Sequence, residues 1–69
     1  MLNVQKVKGR MRELGLTQAD VARAWGCAQA TANQKLNRIR PLDLDEANTL
    51  ADLLKLNGGG EYHEYFFAS

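Results

Sequence analysis

The fold of this chain is decided by residues 16–36, LTQADVARAWGCAQATANQKL. Thr17 stands where a hydroxyl can accept a hydrogen bond from an amide in the first turn of a helix, which is a typical helix start. Gly26 then ends that helix, because glycine enters the left-handed conformation of a helix C-terminus without steric cost. The stretch therefore predicts two short helices, about 18–25 and 29–37, joined by a tight turn.

The second of these helices carries a mostly polar surface. Its inward stripe consists only of Ala32 and Leu36, so we expect neighbouring helices to hold it in place. Two helices joined by a short glycine-containing turn form the helix-turn-helix unit, which can place its second helix in the major groove of DNA. Amide side chains match the donor and acceptor of adenine, and methyl groups contact thymine. The predicted base-reading residues lie on the outward side or in the first turn: Gln29, Ala30, Thr31 and Gln34.

Phosphate contacts need cations, hydroxyls or amides, and they position a protein on the duplex without reading its sequence. Such groups stand at the start of the first helix, on the second helix and in the loop that follows. The predicted phosphate-contacting residues are Thr17, Gln18, Asn33, Lys35, Asn37, Arg38 and Arg40. The alternative is that these polar side chains merely face water.

The remaining sequence predicts further helices and no strands. Apolar residues recur at helical spacing over about 4–14 and 44–55, and a short helical turn is expected at 61–67. The run Gly58–Gly60 is expected to be a hinge or linker between the last two of these. No stretch alternates apolar and polar residues as a half-buried strand would. We therefore predict an all-α fold, a compact bundle of four to five short helices forming one domain over 1–69.

The fourth predicted helix has one apolar face, made of Leu44, Ala47, Leu50, Ala51 and Leu54. Leu53 lies off that face and is a candidate subunit contact, together with Tyr65 and Phe67 in the aromatic tail. Packing of the tail over the core is the favoured alternative. A single small domain buries only about 600–1,000 Å² on DNA, which is little for a tight specific complex. We therefore expect a homodimer, at least on DNA, with its half-sites about one helical turn apart.

Charge is unevenly divided along the chain, although the net charge of +1 says little about partners. Residues 1–41 hold eight Lys and Arg against two carboxylates, a net charge of +6, whereas residues 42–69 have a net charge of −5. A basic end joined to an acidic end is expected where one face of a protein meets phosphates. The alternative is chance scatter of charge in a short chain.

The sequence offers little for catalysis. His63 is the only histidine and Cys27 the only cysteine, so the ligand set of a typical zinc site is missing. The triple glycine lacks the preceding strand and the following Lys-Ser/Thr of a phosphate-binding loop. We expect no enzyme activity, metal, cofactor or small-molecule substrate. The sequence also has no apolar run of the ~20 residues that span a bilayer and no apolar signal region, so we expect no membrane association and a cytoplasmic location.

Several short motifs add a family resemblance that covers nearly the whole chain. They are Leu16-Thr17-Gln18, Val21-Ala22, Gly26, Lys35-Leu36-Asn37, the Leu-Asp-Leu-Asp-Glu-Ala stretch over 42–47 and the closing Glu-Tyr-Phe-Phe-Ala over 64–68. In these residues the chain resembles the small phage repressors and Cro-type regulators of the lambda-repressor-like helix-turn-helix superfamily.

The resemblance implies a transcriptional regulator of a phage or prophage that binds operator DNA, generally as a dimer, with its third helix in the major groove. It also implies a place at the nucleoid of a bacterial host. Two residues depart from the family pattern, because Ala28 replaces the usual Ser or Thr cap and Lys35 replaces a common apolar residue. These departures leave the rotation of the third helix open. The competing hypothesis is a helical protein–protein interaction module on the same fold, such as an antirepressor or assembly adaptor.

Overall fold

Five helices make up the computed structural model of this chain, which describes residues 2–56 and 58–66. They are α1 (Val4–Leu14), α2 (Gln18–Trp25), α3 (Gln29–Leu36), α4 (Leu44–Leu53) and α5 (Gly58–Phe66). Over those two ranges the chain forms no strand, which confirms the predicted all-α class. The Cα radius of gyration is 10.8 Å, close to the roughly 11 Å expected for a compact chain of this length.

Side-chain caps begin three of the helices. The Oδ1 atom of Asn3 accepts from the Lys6 amide at 3.1 Å and starts α1. At α2, Thr17 Oγ1 accepts from the Asp20 amide at 3.3 Å while Asp20 Oδ2 accepts from the Thr17 amide at 2.8 Å. At α4, the N-cap residue Asp43 and the third helical residue exchange the same pair of bonds. Both α2 and α4 therefore begin with a capping box.

The first four helices end in the same hydrogen-bond pattern, built on a residue with positive φ. Gly15 and Gly26 take this conformation at φ +70° and +69° after α1 and α2. After α3 and α4, a cation takes it instead, Arg38 at +63° and Lys55 at +54°. In each case the next amide bonds back to a carbonyl five residues earlier. The predicted end of the fourth helix at residue 55 was therefore two residues too late, because no glycine marks this stop.

The described helices share one apolar core. Its fully or nearly buried members are Leu2, Val7, Met11, Val21, Leu36, Leu50, Leu54 and Phe66. Along the chain, α2 packs against both α3 and α4, and α1 packs against α5. Ala22 of α2 is also buried.

Two expectations about the second half of the chain were wrong. Leu44 is 68% exposed, although the sequence placed it on the inward face of α4. It is the first residue of α4, where side chains tilt back beyond the helix end, and Leu42 packs against the core from the preceding loop. The run Gly58–Gly60 is also not a linker, because α5 begins at Gly58. Each helical glycine costs up to about 1 kcal/mol, and docking of Phe66 into the core offsets this cost.

Polar bonds hold α5 against the start of the chain. The Asn3 amide donates to the Tyr65 carbonyl at 2.7 Å, and Lys6 Nζ forms an ion pair with Glu64 at 2.8 Å. This pairing lowers the pKa of Glu64 and raises that of Lys6. Within the described residues, no helix is both long and apolar enough to cross a bilayer.

Candidate nucleic-acid interface

The α3 helix has little stabilisation of its own. Ala32 and Leu36 are its fully buried residues, which confirms the predicted narrow inward stripe. Ala28 occupies its N-cap, and among the described residues no side chain caps its first turn. Its position therefore depends on the helices around it.

The predicted base-reading residues Gln29, Ala30, Thr31 and Gln34 form what we call the α3 outer face. Gln29 and Ala30 are exposed, and Thr31 and Gln34 are partly buried. All four are uncharged and small or amide-bearing, and none is sealed inside the protein. The outer face can therefore offer both donors and acceptors to a surface that approaches α3.

Lys35 lies away from this face. Its ammonium forms an ion pair with Glu46 of α4 and lies 5.8 Å from the centre of the Trp25 ring on α2. Both charged side chains are only 17% exposed. This predicted phosphate contact therefore links three helices within the fold.

Glu46 is the centre of that link. Its Oε1 atom accepts from the Asp43 amide at 3.1 Å as part of the α4 cap, while Oε2 receives the Lys35 ammonium. Its backbone carbonyl accepts from the Trp25 indole nitrogen at 3.0 Å. One residue of α4 thus fixes one side of α3 and the end of α2.

The opposite side of α3 is held by a series of side-chain hydrogen bonds that we call the amide chain, composed of Lys8, Asn37, Asn33 and Gln18. Lys8 Nζ donates to Asn37 Oδ1 at 2.6 Å, and Asn37 Nδ2 donates to Asn33 Oδ1 at 3.1 Å. Asn33 Nδ2 then donates to Gln18 Oε1 at 2.9 Å. The amide chain joins α1, the C-terminal end of α3 and the start of α2. Three predicted phosphate contacts are thus bonded to one another.

Thr17 and Asp20 satisfy each other at the start of α2. The Thr17 hydroxyl accepts from the Asp20 amide and lies 3.1 Å from Asp20 Oδ2, to which it donates. Hydrogen bonds from the Thr17 amide and hydroxyl and from Arg23 lower the pKa of Asp20. The structure thus places the predicted phosphate contact Thr17 in the capping box.

Three exposed arginines lie near α3 and α1. Arg38 and Arg40 follow α3 directly, in the loop that leads to α4. Arg12 on α1 lines a groove of about 320 Å³ together with Lys8 and Gln18. Sequence reasoning missed Arg12, because only tertiary packing brings this face of α1 beside the start of α2.

The predicted subunit contacts lie mostly within the fold. Leu53 and Tyr65 are partly buried and pack against the core, and Phe67 lies outside the described residues. Among the described residues, the large apolar side chains that are exposed are those of Ile39, at 69%, and Leu44. Ile39 lies in the loop between α3 and α4, and Leu44 is the first residue after that loop.

Comparison of this chain with models of known protein families, with curated proteins and with solved structures found no match. Across residues 2–56 and 58–66, no group of three or more His, Cys, Asp and Glu side chains is arranged to hold a metal ion.

Proposed function

We propose that this chain is a sequence-specific DNA-binding regulator of transcription, in which α2, the turn at Gly26 and α3 act as a helix-turn-helix. The observation that carries the proposal is the contrast between the two sides of α3. Its inner side and flanks are held by the core, by Glu46 and by the amide chain, whereas its outer face stays open. A rigidly held helix with an uncharged, amide-bearing face suits the reading of base edges.

The charge distribution supports the same proposal. Arg38 and Arg40 stand just beyond the C-terminal end of α3, and Arg12 stands beside the start of α2. Cations beside a base-reading surface can neutralise the phosphates that flank the groove. We assign these three arginines and the Gln18 amide to phosphates, and we assign Lys35 to the stability of the fold.

Dimerisation on DNA remains part of the proposal. One copy would bury only about 600–1,000 Å² on a duplex, so binding to two half-sites by two copies would raise affinity. The exposed Ile39 and Leu44 offer more apolar surface to a second copy than the core-packed Leu53 and Tyr65 do.

The test begins with selection of bound fragments from a random duplex library at fixed ionic strength. The double variant Gln29→Ala/Gln34→Ala is then compared with Gln5→Ala, which removes an exposed amide from α1. Each bidentate amide–base contact discriminates by about 1–3 kcal/mol, so the double variant should lose at least tenfold affinity for the selected site. Its affinity for random duplex, and both affinities of the Gln5→Ala control, should change less than twofold.

A second variant tests the phosphate assignment. Arg40→Ala should weaken binding to selected and random duplexes alike and make the dependence of log K on log salt shallower by about one unit. The proposal is abandoned if the native chain binds duplex DNA only weakly and with no dependence on salt. That result would favour the protein–protein interaction module.

A further inference from the structure

The amide chain has a direction, and Lys8 sits at its donor end. An ammonium group can only donate, so Asn37 must turn its oxygen toward Lys8 and its nitrogen toward Asn33. Asn37 Nδ2 also donates to the Asn33 backbone carbonyl at 2.8 Å, which favours the same orientation. The orientation of the first amide is therefore set by chemistry rather than by chance.

The orientation of Asn37 sets the orientation of the next two amides in the amide chain. Asn33 accepts from Asn37 through its oxygen, so its nitrogen is the atom that donates to Gln18 Oε1. The oxygen of Gln18 accepts from Asn33, so the two N–H groups of the Gln18 amide remain at the end of the amide chain. Gln18 lines the groove that Arg12 also lines. A phosphate oxygen accepts hydrogen bonds from N–H groups. If the Gln18 amide were turned over, its carbonyl oxygen would face the phosphate instead and repel it.

We propose that Lys8 is a positioning residue for DNA recognition, which orients the Gln18 amide so that its N–H groups meet a backbone phosphate at the start of α2. Lys8 acts through Asn37 and Asn33, and its ammonium donates a hydrogen bond to Asn37. The same bonds tie the C-terminal end of α3 to α1. This inference rests on the proposed function.

The first experiment measures affinity for the selected duplex across a range of salt concentrations. Lys8→Met keeps the aliphatic stem and removes the donor, and we expect a loss of roughly fivefold, the size of one hydrogen bond of about 1 kcal/mol. The salt slope should stay unchanged, because Lys8 neutralises no phosphate. Lys8→Arg, which can only donate, should restore most of the affinity. The control Lys6→Met removes a cation of α1 that pairs with Glu64, and it should change affinity less than twofold.

The second experiment asks whether Lys8 acts through Gln18. In a Gln18→Ala background, Lys8→Met should cost less than twofold, because the amide that it orients is gone. An undiminished loss in this background would overturn the inference. A shallower salt slope for Lys8→Met would overturn it as well, since it would make Lys8 a direct phosphate contact.

The third experiment needs no DNA, so it separates this inference from the proposed function. In the free protein, Lys8→Met should shift the side-chain amide NMR signals of Asn33 and Gln18, and Lys8→Arg should leave them near their native positions. Unshifted signals in the folded Lys8→Met variant would refute the positioning role. If these signals shift but the native chain binds no duplex, the positioning of Gln18 stands and the DNA-binding proposal fails.

Discussion

The helices α3 and α4 are stabilised in opposite ways. The ten-residue α4 begins with a reciprocal capping box and carries the fully buried Leu50. The eight-residue α3 has no side-chain cap within the described structure, and only Ala32 and Leu36 are fully buried on it. Its remaining support comes from side chains of α1, α2 and α4. Because these contacts lie on the inner side and flanks of α3, its outer face takes no part in holding the fold and is open to a partner.

The largest expected effect tests whether the core anchors α3 as firmly as α4. Leu36→Ala and Leu50→Ala each empty a fully buried site, and each should lower the free energy of unfolding by about 3 kcal/mol. Urea denaturation measures both. Leu44→Ala, at an exposed position, is the control and should change stability by less than about 0.5 kcal/mol. A loss below about 1 kcal/mol for Leu36→Ala would show that polar bonds alone hold α3.

The next effect tests the polar support. Glu46→Ala removes the partner of Lys35 and half of the α4 capping box. We expect a loss of about 2 kcal/mol, because Lys35 is left largely buried with its charge unpaired. Asp45→Ala changes an exposed carboxylate in the same turn and is the matched control for thermal denaturation. Equal losses in the two variants would contradict the link between α3 and α4.

A smaller effect should erase part of the difference between the two helices. Ala28→Ser supplies the missing N-cap of α3 and should raise stability by about 1 kcal/mol, while Asp43→Ala removes the cap of α4 and should lower it by a similar amount. Both values come from denaturant unfolding. If Ala28→Ser is neutral, another group already satisfies the first amides of α3.

The smallest effect concerns the helix ends. Lys55 after α4 and Arg38 after α3 have a left-handed backbone, which a glycine adopts without steric cost. Lys55→Gly and Arg38→Gly should each raise the free energy of unfolding by about 0.5 kcal/mol, because the removed strain exceeds the extra backbone entropy that glycine gives the unfolded chain. Under the proposed function only Arg38→Gly should also weaken DNA binding. A stabilised Arg38→Gly variant that binds DNA with native affinity would remove Arg38 from the phosphate contacts.

Local signals predicted much of the fold. Thr17 marked a helix start and Gly26 marked a helix end, because capping and left-handed backbone are properties of a few adjacent residues. The end of α4 was placed too late for the same reason, since Lys55 occupies a position where glycine is usual.

The candidate site was predicted less completely. Three residues of the α3 outer face follow from helical periodicity and Gln29 follows from its place in the first turn, and the structure leaves all four accessible. The role of Lys35 depends on Glu46, which lies on the next helix, and periodicity alone cannot reveal that partner. Arg12 was missed because its neighbour Gln18 comes from another helix.

The sequence by itself determined that this chain forms short helices with a polar third member, because helix propensity, caps and apolar spacing act over a few residues. Only the tertiary structure decided which polar side chains bond within the fold to hold that helix and which remain available to a partner. Hydrogen bonds such as that from Lys8 to Asn37 join residues far apart in the chain. Such bonds depend on the packing of whole helices, which local pattern does not encode.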